Sequence, residues 1–186
     1  MMRRHVASVL LVALLSGCGV PVDATPRSVS APPGTFPTPA ATATTESDGR
    51  VDETLCFVRD NGLEAVTRRV DGVSGVDTQL QHLLTGPDDT ERERGLATAL
   101  PGTVTVAGAS ATGTVAMIDV REAGEETGRS DEVLAFGQIV CTLTHRADVD
   151  SVAFRRDGQP LEVPRADGSL SSLPLTAADY RPLLRR

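Results

Sequence analysis

Leu55-Cys56-Phe57-Val58, then Arg59-Asp60-Asn61-Gly62, then Leu63-Glu64-Ala65-Val66-Thr67: two apolar, β-prone runs flank an Asp-Asn-Gly turn signal. Two-residue hairpin turns need positive backbone φ angles, which Asn, Asp and Gly adopt most readily. The stretch therefore predicts a β-hairpin. Downstream, Val76, Leu80, Leu83 and Leu84 fall at i, i+4, i+7 and i+8, one face of a helix that Gly86-Pro87 would end. Ser74 and Asp77 resemble a capping box for its start. A short helical turn is expected at Thr90 to Arg94, then alternating strands at Thr103 to Ala107 and Thr114 to Val120. Arg121 to Gly128 is polar and reads as a solvated loop. Ser130 to Thr144 predicts a second helix, with Asp131 and Glu132 at its start, His145-Arg146 at its end and an apolar face of Val133, Phe136, Val140 and Leu143. Ser151 to Arg155 and Gln159 to Val163 flank Asp157-Gly158, a second hairpin signal. The order is ββ-α-ββ-α-ββ, an α+β fold with two helices packed on an antiparallel sheet.

Upstream of the hairpin the 186-residue chain changes character. Residues 1–17 read as a signal peptide: Arg3-Arg4, an apolar run from Val6 to Leu15, then Ser16 and Gly17 before Cys18. Ten helical residues span roughly 15 Å, about half of a bilayer core, so the run is too short for a transmembrane helix. Leu15-Ser16-Gly17-Cys18 resembles the bacterial lipobox, in which the cysteine thiol is lipidated before cleavage and the cysteine, carrying its lipid (palmitate among its chains), becomes the mature N-terminus. Residues 18–52 then form a lipidated cysteine and a tether. Positions 19–52 hold six of the twelve prolines, with six threonines and five alanines, too little apolar surface to offset the entropy of ordering. Residues 53–186 are left for one folded domain.

Composition narrows the function. All 18 basic residues are arginine, against 25 acids, and the formal charge is −7 with a pI near 4.9. Loss of Arg3 and Arg4 with the signal leaves 16 arginines against 25 acids, a net −9. Nucleic-acid binding needs a basic face and stacking platforms; this chain has four Phe, one Tyr and no Trp. Membrane affinity must come from the lipid, because an acidic domain is repelled by anionic headgroups.

Candidate chemistry is sparse. Cys56 and Cys141 remain after Cys18 is lipidated, in an oxidising compartment. Two readings stand: a disulfide across the first strand and second helix, or two buried free thiols. A catalytic thiol is not expected, since neither cysteine has a neighbouring His or basic partner in sequence. His82 and His145 belong to no metal-ligand spacing, so no metal and no cofactor are expected. Asp88-Asp89 with Glu91 and Glu93 lacks the order of a calcium loop and reads as a solvated cap. Glu122, Glu125 and Glu126 are too loosely spaced to name as a glycosidase-type pair, and Asp119 reads as a strand end.

Several blocks resemble a known family. Leu83-Leu84-Thr85-Gly86-Pro87 and Gly95 to Thr103 are similar to the first half of the GerMN domain. Gln138 to Thr144, Ser151-Val152-Ala153-Phe154 and Asp157-Gly158-Gln159-Pro160 are similar to the second. Cys141 stands where an aromatic is common in the family, and Ala147-Asp148 replaces its Pro-Gly-like turn. The resemblance covers about Glu53 to Leu184 and includes sporulation and germination lipoproteins and actinobacterial lipoproteins of the LpqB type. It implies a non-catalytic envelope module on the outer face of the cytoplasmic membrane, held by its lipid and engaging an envelope protein or wall polymer. Two other functions are weighed against it: a regulatory lipoprotein for a membrane sensor kinase, and a peptidoglycan hydrolase using Glu122 or Asp119.

Overall fold

The structure, a computed structural model, describes residues 49–123 and 129–185. The signal, Cys18 and most of the tether lie outside these residues, as do Glu125 and Glu126. Strand β1 (Arg50–Arg59) and β2 (Gly62–Asp71) form the hairpin, ten residues each, in register from Arg50↔Asp71 to Arg59↔Gly62. Strand β1 thus begins at Arg50, three residues ahead of Glu53. At the turn Asp60 (φ 44°) and Asn61 (φ 57°) both take positive angles, as a two-residue loop matched to strand twist requires.

Helix α1 (Val76–Thr85) buries Val76, Leu80 and Leu83 and ends at Gly86, and the short α2 (Asp89–Glu93) follows. The expected cap at Ser74 and Asp77 does not form. The N-cap is Gly75, and Asp77 Oδ1 instead accepts the Ala109 N–H at 3.1 Å. The capping box sits at α2, where Asp88 Oδ1 accepts the Glu91 N–H at 2.8 Å and Glu91 Oε2 accepts the Asp88 N–H at 2.9 Å.

Strands β3 (Val104–Thr112) and β4 (Val115–Ala123) pair antiparallel, helix α3 (Arg129–Thr144) follows, and β5 (Ser151–Arg156) lies parallel to β4. The expectation of a purely antiparallel sheet is corrected here. The sixteen-residue α3 carries the chain back across the sheet, and a crossover of that kind delivers the next strand in the same direction. Arg121 also belongs to β4, not to a loop. The sheet order is β3-β4-β5-β6, with β6 only Gln159–Pro160. The second hairpin is therefore shorter than expected, with one further bond past Pro160, from the Leu161 N–H to Phe154 O at 2.9 Å. Asp157 (φ 51°) and Gly158 still make its turn. The chain then forms β7 (Val163–Pro164) and β8 (Leu170–Ser171), and ends in a 3₁₀ helix, Ala177–Leu183. The mixed α+β class stands, while the element order is longer than ββ-α-ββ-α-ββ.

The core centres on α3, which is buried at every position from Val133 to Leu143. Phe136 meets Phe154 edge to face, with ring centroids 5.0 Å apart. Gly137 is where the C-terminal 3₁₀ helix comes closest. A Cβ there would stand 2.9 Å from both Leu63 Cδ1 and Tyr180 Cδ1. Tyr180 is fully buried, its hydroxyl donates to Pro164 O at 2.6 Å, and burial pushes its phenol pKa upward.

Candidate functional site: a cysteine–histidine corner under the C-terminal segment

Strand β1 has β2 on one side only, so the N–H and C=O groups of alternate residues face outward and need other partners. Val58 exchanges two 2.8 Å hydrogen bonds with Ala97. Thr54 O accepts from Gln79 Nε2 of α1 at 2.8 Å. Between them, Cys56 is served by α3: its N–H donates to Thr142 Oγ1 at 2.9 Å, and its carbonyl accepts from Gln138 Nε2 at 3.1 Å. Gln138 Oε1 also accepts the Ala99 N–H at 2.7 Å. These polar residues on a buried helix replace the neighbouring strand that β1 lacks.

At the same place the chain is bonded across. Cys56 Sγ and Cys141 Sγ are 1.98 Å apart, with Cα atoms 5.9 Å apart and a separation of 85 positions in the sequence. Cys141 lies in the last helical turn and His145 four residues on, one turn further along the same face. His145 Nδ1 is 2.6 Å from Cys141 O, 3.9 Å from Cys56 Sγ and 4.0 Å from Cys141 Sγ. A carbonyl only accepts, so this nitrogen carries the proton and donates it to Cys141 O, with both sulfurs at the outer limit of hydrogen-bond distance. The expectation that neither cysteine has a histidine neighbour is overturned. The Cys-x-x-x-His spacing on one helix was the signal in the sequence that could have shown it. Cys56, Cys141 and His145 present donor atoms within 4.8 Å of one another. While the sulfurs are joined they are not the thiolates that metal ligation requires.

The C-terminal segment closes over this corner. Leu184 bridges to Leu63, and the Arg185 N–H donates to Leu63 O at 2.8 Å. A cavity of about 400 Å³ remains, lined by Cys141, His145, Arg181 and Arg185 with Leu63 and Leu184. Arg185 pairs with Asp60 at 3.4 Å. His145 also borders a second cavity of about 380 Å³, between β1, the start of α1 and the loop after α3, with Val73 82% exposed at its rim.

The remaining candidates lie away from this corner. Glu91 is buried and pairs through both oxygens with Arg68, which lies over the Phe57 ring and donates to Gly86 O at 2.9 Å. It is thus not the solvated cap expected. The Arg68 hydrogen bond holds the Glu91 carboxyl below its ordinary range. Stability from this depressed carboxyl is present above the unfolded value and is lost as pH falls through the folded one. Glu91→Gln should therefore destabilise the domain at pH 7 by about 2–4 kcal/mol and flatten the acid limb of its urea midpoint against pH. His82 pairs with buried Glu53 at 2.7 Å, far from His145 in the chain and on another helix. Asp119 sits within β4 rather than at its end and pairs with Arg155 at 3.1 Å, and the Glu122 side chain lies outside the described residues.

The family model for sporulation and spore germination domains, Germane, matches residues 46–162, well over half of the chain. The chain belongs to the GerMN family. Its fold is similar to the tandem GerMN domains of the sporulation protein GerM from Bacillus subtilis, with a TM-score of 0.54 at 18% identity over 75% of this chain and 50% of that one. This GerMN chain thus spans half the length of that tandem structure. The first GerMN domain of the same protein matches with a TM-score of 0.50 at 22% identity, covering 69% of this chain and 98% of that one. No curated protein matches the chain.

Proposed function

We propose that this GerMN chain is a lipoprotein on the outer face of the cytoplasmic membrane, anchored through Cys18, whose domain docks envelope proteins without catalysis. The observation that carries the reading is the outward face of the β3–β5 sheet. Its inner face buries Ala116, Ile118, Val120, Val152 and Phe154 against the core. On the outer face Ser110, Met117 and Ala153 form one row across three strands, exposed or half-buried. The next row ends in the Asp119–Arg155 pair. A row of small and flexible side chains bordered by a neutral ion pair offers a flat surface suited to a protein rather than to a charged polymer. Of the chemistry-bearing carboxylates, Glu91 and Asp119 are each paired with an arginine and Glu53 with His82, which favours structural over acid–base roles. The Pro-, Thr- and Ala-rich composition between Cys18 and β1 supports the reading of that stretch as a tether between the anchor and the domain.

A photo-crosslinking residue at Met117 or Ala153, in the anchored protein and in Cys18→Ser, tests the reading. Cys18→Ser is expected to move most of the protein from the membrane fraction to the medium, and the sheet-face crosslinks should disappear with it. Turnover of wall polymer by the soluble form, or crosslinks unaffected by the lipid, would reject it.

A further inference from the structure

We propose that the Cys56–Cys141 disulfide is a thiol–disulfide exchange site for small anionic thiols, which enter through the cavity under the C-terminal segment. Three observations converge. Cys141 lines the 400 Å³ cavity and Cys56 does not, so the two sulfurs are inequivalent and attack falls on Cys141. The cavity wall is cationic. Arg185 is neutralised by Asp60, but among the described residues no carboxylate is paired with Arg181, which is exposed at the mouth beside His145. His145 Nδ1 donates to Cys141 O and stands at nearly equal distances from both sulfurs, so its N–H can turn from the carbonyl to a sulfur that takes up negative charge. A hydrogen-bond donor so placed stabilises whichever sulfur becomes the thiolate, and a better-stabilised leaving thiolate leaves faster.

The reaction balances without any other reactant. An external thiolate RS⁻ attacks Cys141 Sγ, forming the R–S–Sγ bond as the Sγ–Sγ bond breaks. The electron pair stays on Cys56 Sγ, 3.9 Å from His145 Nδ1, until water supplies a proton. A second RS⁻ attacks the R sulfur, releasing RSSR and the Cys141 thiolate, which is protonated in turn. Two thiols are oxidised and one protein disulfide is reduced. The β1–α3 junction does not depend on the bond alone, because Thr142 and Gln138 still hold both backbone groups of Cys56. The two thiols stay within reach of each other, and reoxidation restores the link.

The test uses the full chain carrying Cys18→Ser, whose only sulfurs of this kind are then Cys56 and Cys141. Native protein is treated with 2-mercaptoethanesulfonate, 2-mercaptoethanol or cysteamine, and reduction is followed by alkylation and mass. Rates are expressed per thiolate and relative to an uncharged small disulfide. The sulfonate is expected to react about tenfold faster than cysteamine, from opposite Coulomb terms with Arg181. Its first adduct should map to Cys141. Arg181→Ser, at an exposed position, should bring that ratio within about twofold without moving the melting temperature, and 0.5 M NaCl should do the same. His145→Gln should slow all three thiols by about fivefold and leave the ratio intact. No reduction in native buffer, equal rates for the three thiols, or a first adduct on Cys56 would overturn the proposal.

Discussion

Replacing Cys56 and Cys141 together by alanine is expected to lower the stability of the domain by about 2–5 kcal/mol and its melting temperature by roughly 10 °C. Most of that loss lies in the unfolded chain. A link across 85 residues removes loop-closure entropy worth up to about 4.6 kcal/mol in the chain-entropy account. The folded state loses less, because Thr142 and Gln138 keep the β1–α3 contact. Alanine suits the test better than serine, since Cys56 and Cys141 are buried with Leu63 and Leu134, where an added hydroxyl would find no ready partner. Urea unfolding of the double variant, beside the parent with and without reductant, measures the loss. Reduced parent and double variant should share one midpoint; an unchanged midpoint in both would show that the bond contributes nothing at equilibrium.

Gln138→Leu is expected to cost about 2–4 kcal/mol, although it makes the residue more hydrophobic on a buried helix. Leucine has nearly the same volume and a better helix propensity than most alternatives, so packing and local preference would predict little change. The loss comes from what Gln138 serves: the Cys56 carbonyl loses its 3.1 Å donor and the Ala99 N–H its 2.7 Å acceptor. Each orphaned polar group costs about 1–3 kcal/mol when water cannot reach it. Chemical denaturation gives the magnitude, and amide exchange identifies the cause. The Ala99 N–H should lose protection well beyond its neighbours in Gln138→Leu, whereas Leu143→Ala, a cavity of the same order of cost, should leave it protected relative to the rest.

How much of this was legible follows the range of each interaction. The first hairpin is written in two neighbouring residues, Asp60 and Asn61, because a two-residue loop permits few backbone angles. Helices α1 and α3 are written in local periodicity and ended by residues beside them. The second hairpin is shorter than its sequence suggests because Asp157-Gly158 signals the turn but not where the pairing ends. The cap at Ser74 failed because Asp77 has a distant partner, the unpaired N–H of Ala109 on β3. Glu91 was misread for the same reason: its companion Arg68 lies 23 residues earlier, across the hairpin.

By itself the sequence determined the hairpin turn and the two amphipathic helices, properties of adjacent residues, and it carries the composition on which the signal and tether readings rest. It also carried the GerMN resemblance, which the family match to residues 46–162 supports. Only the tertiary structure decided that β4 and β5 run parallel, that α3 supplies Gln138 and Thr142 to the open edge of β1, and that Cys56, Cys141 and His145 meet in one corner. The physical reason is that a turn or a helical stripe depends on torsions and spacings a few residues long. The partners of a strand edge or a sulfur are instead chosen by which surfaces bury together, and here those surfaces are some 85 residues apart.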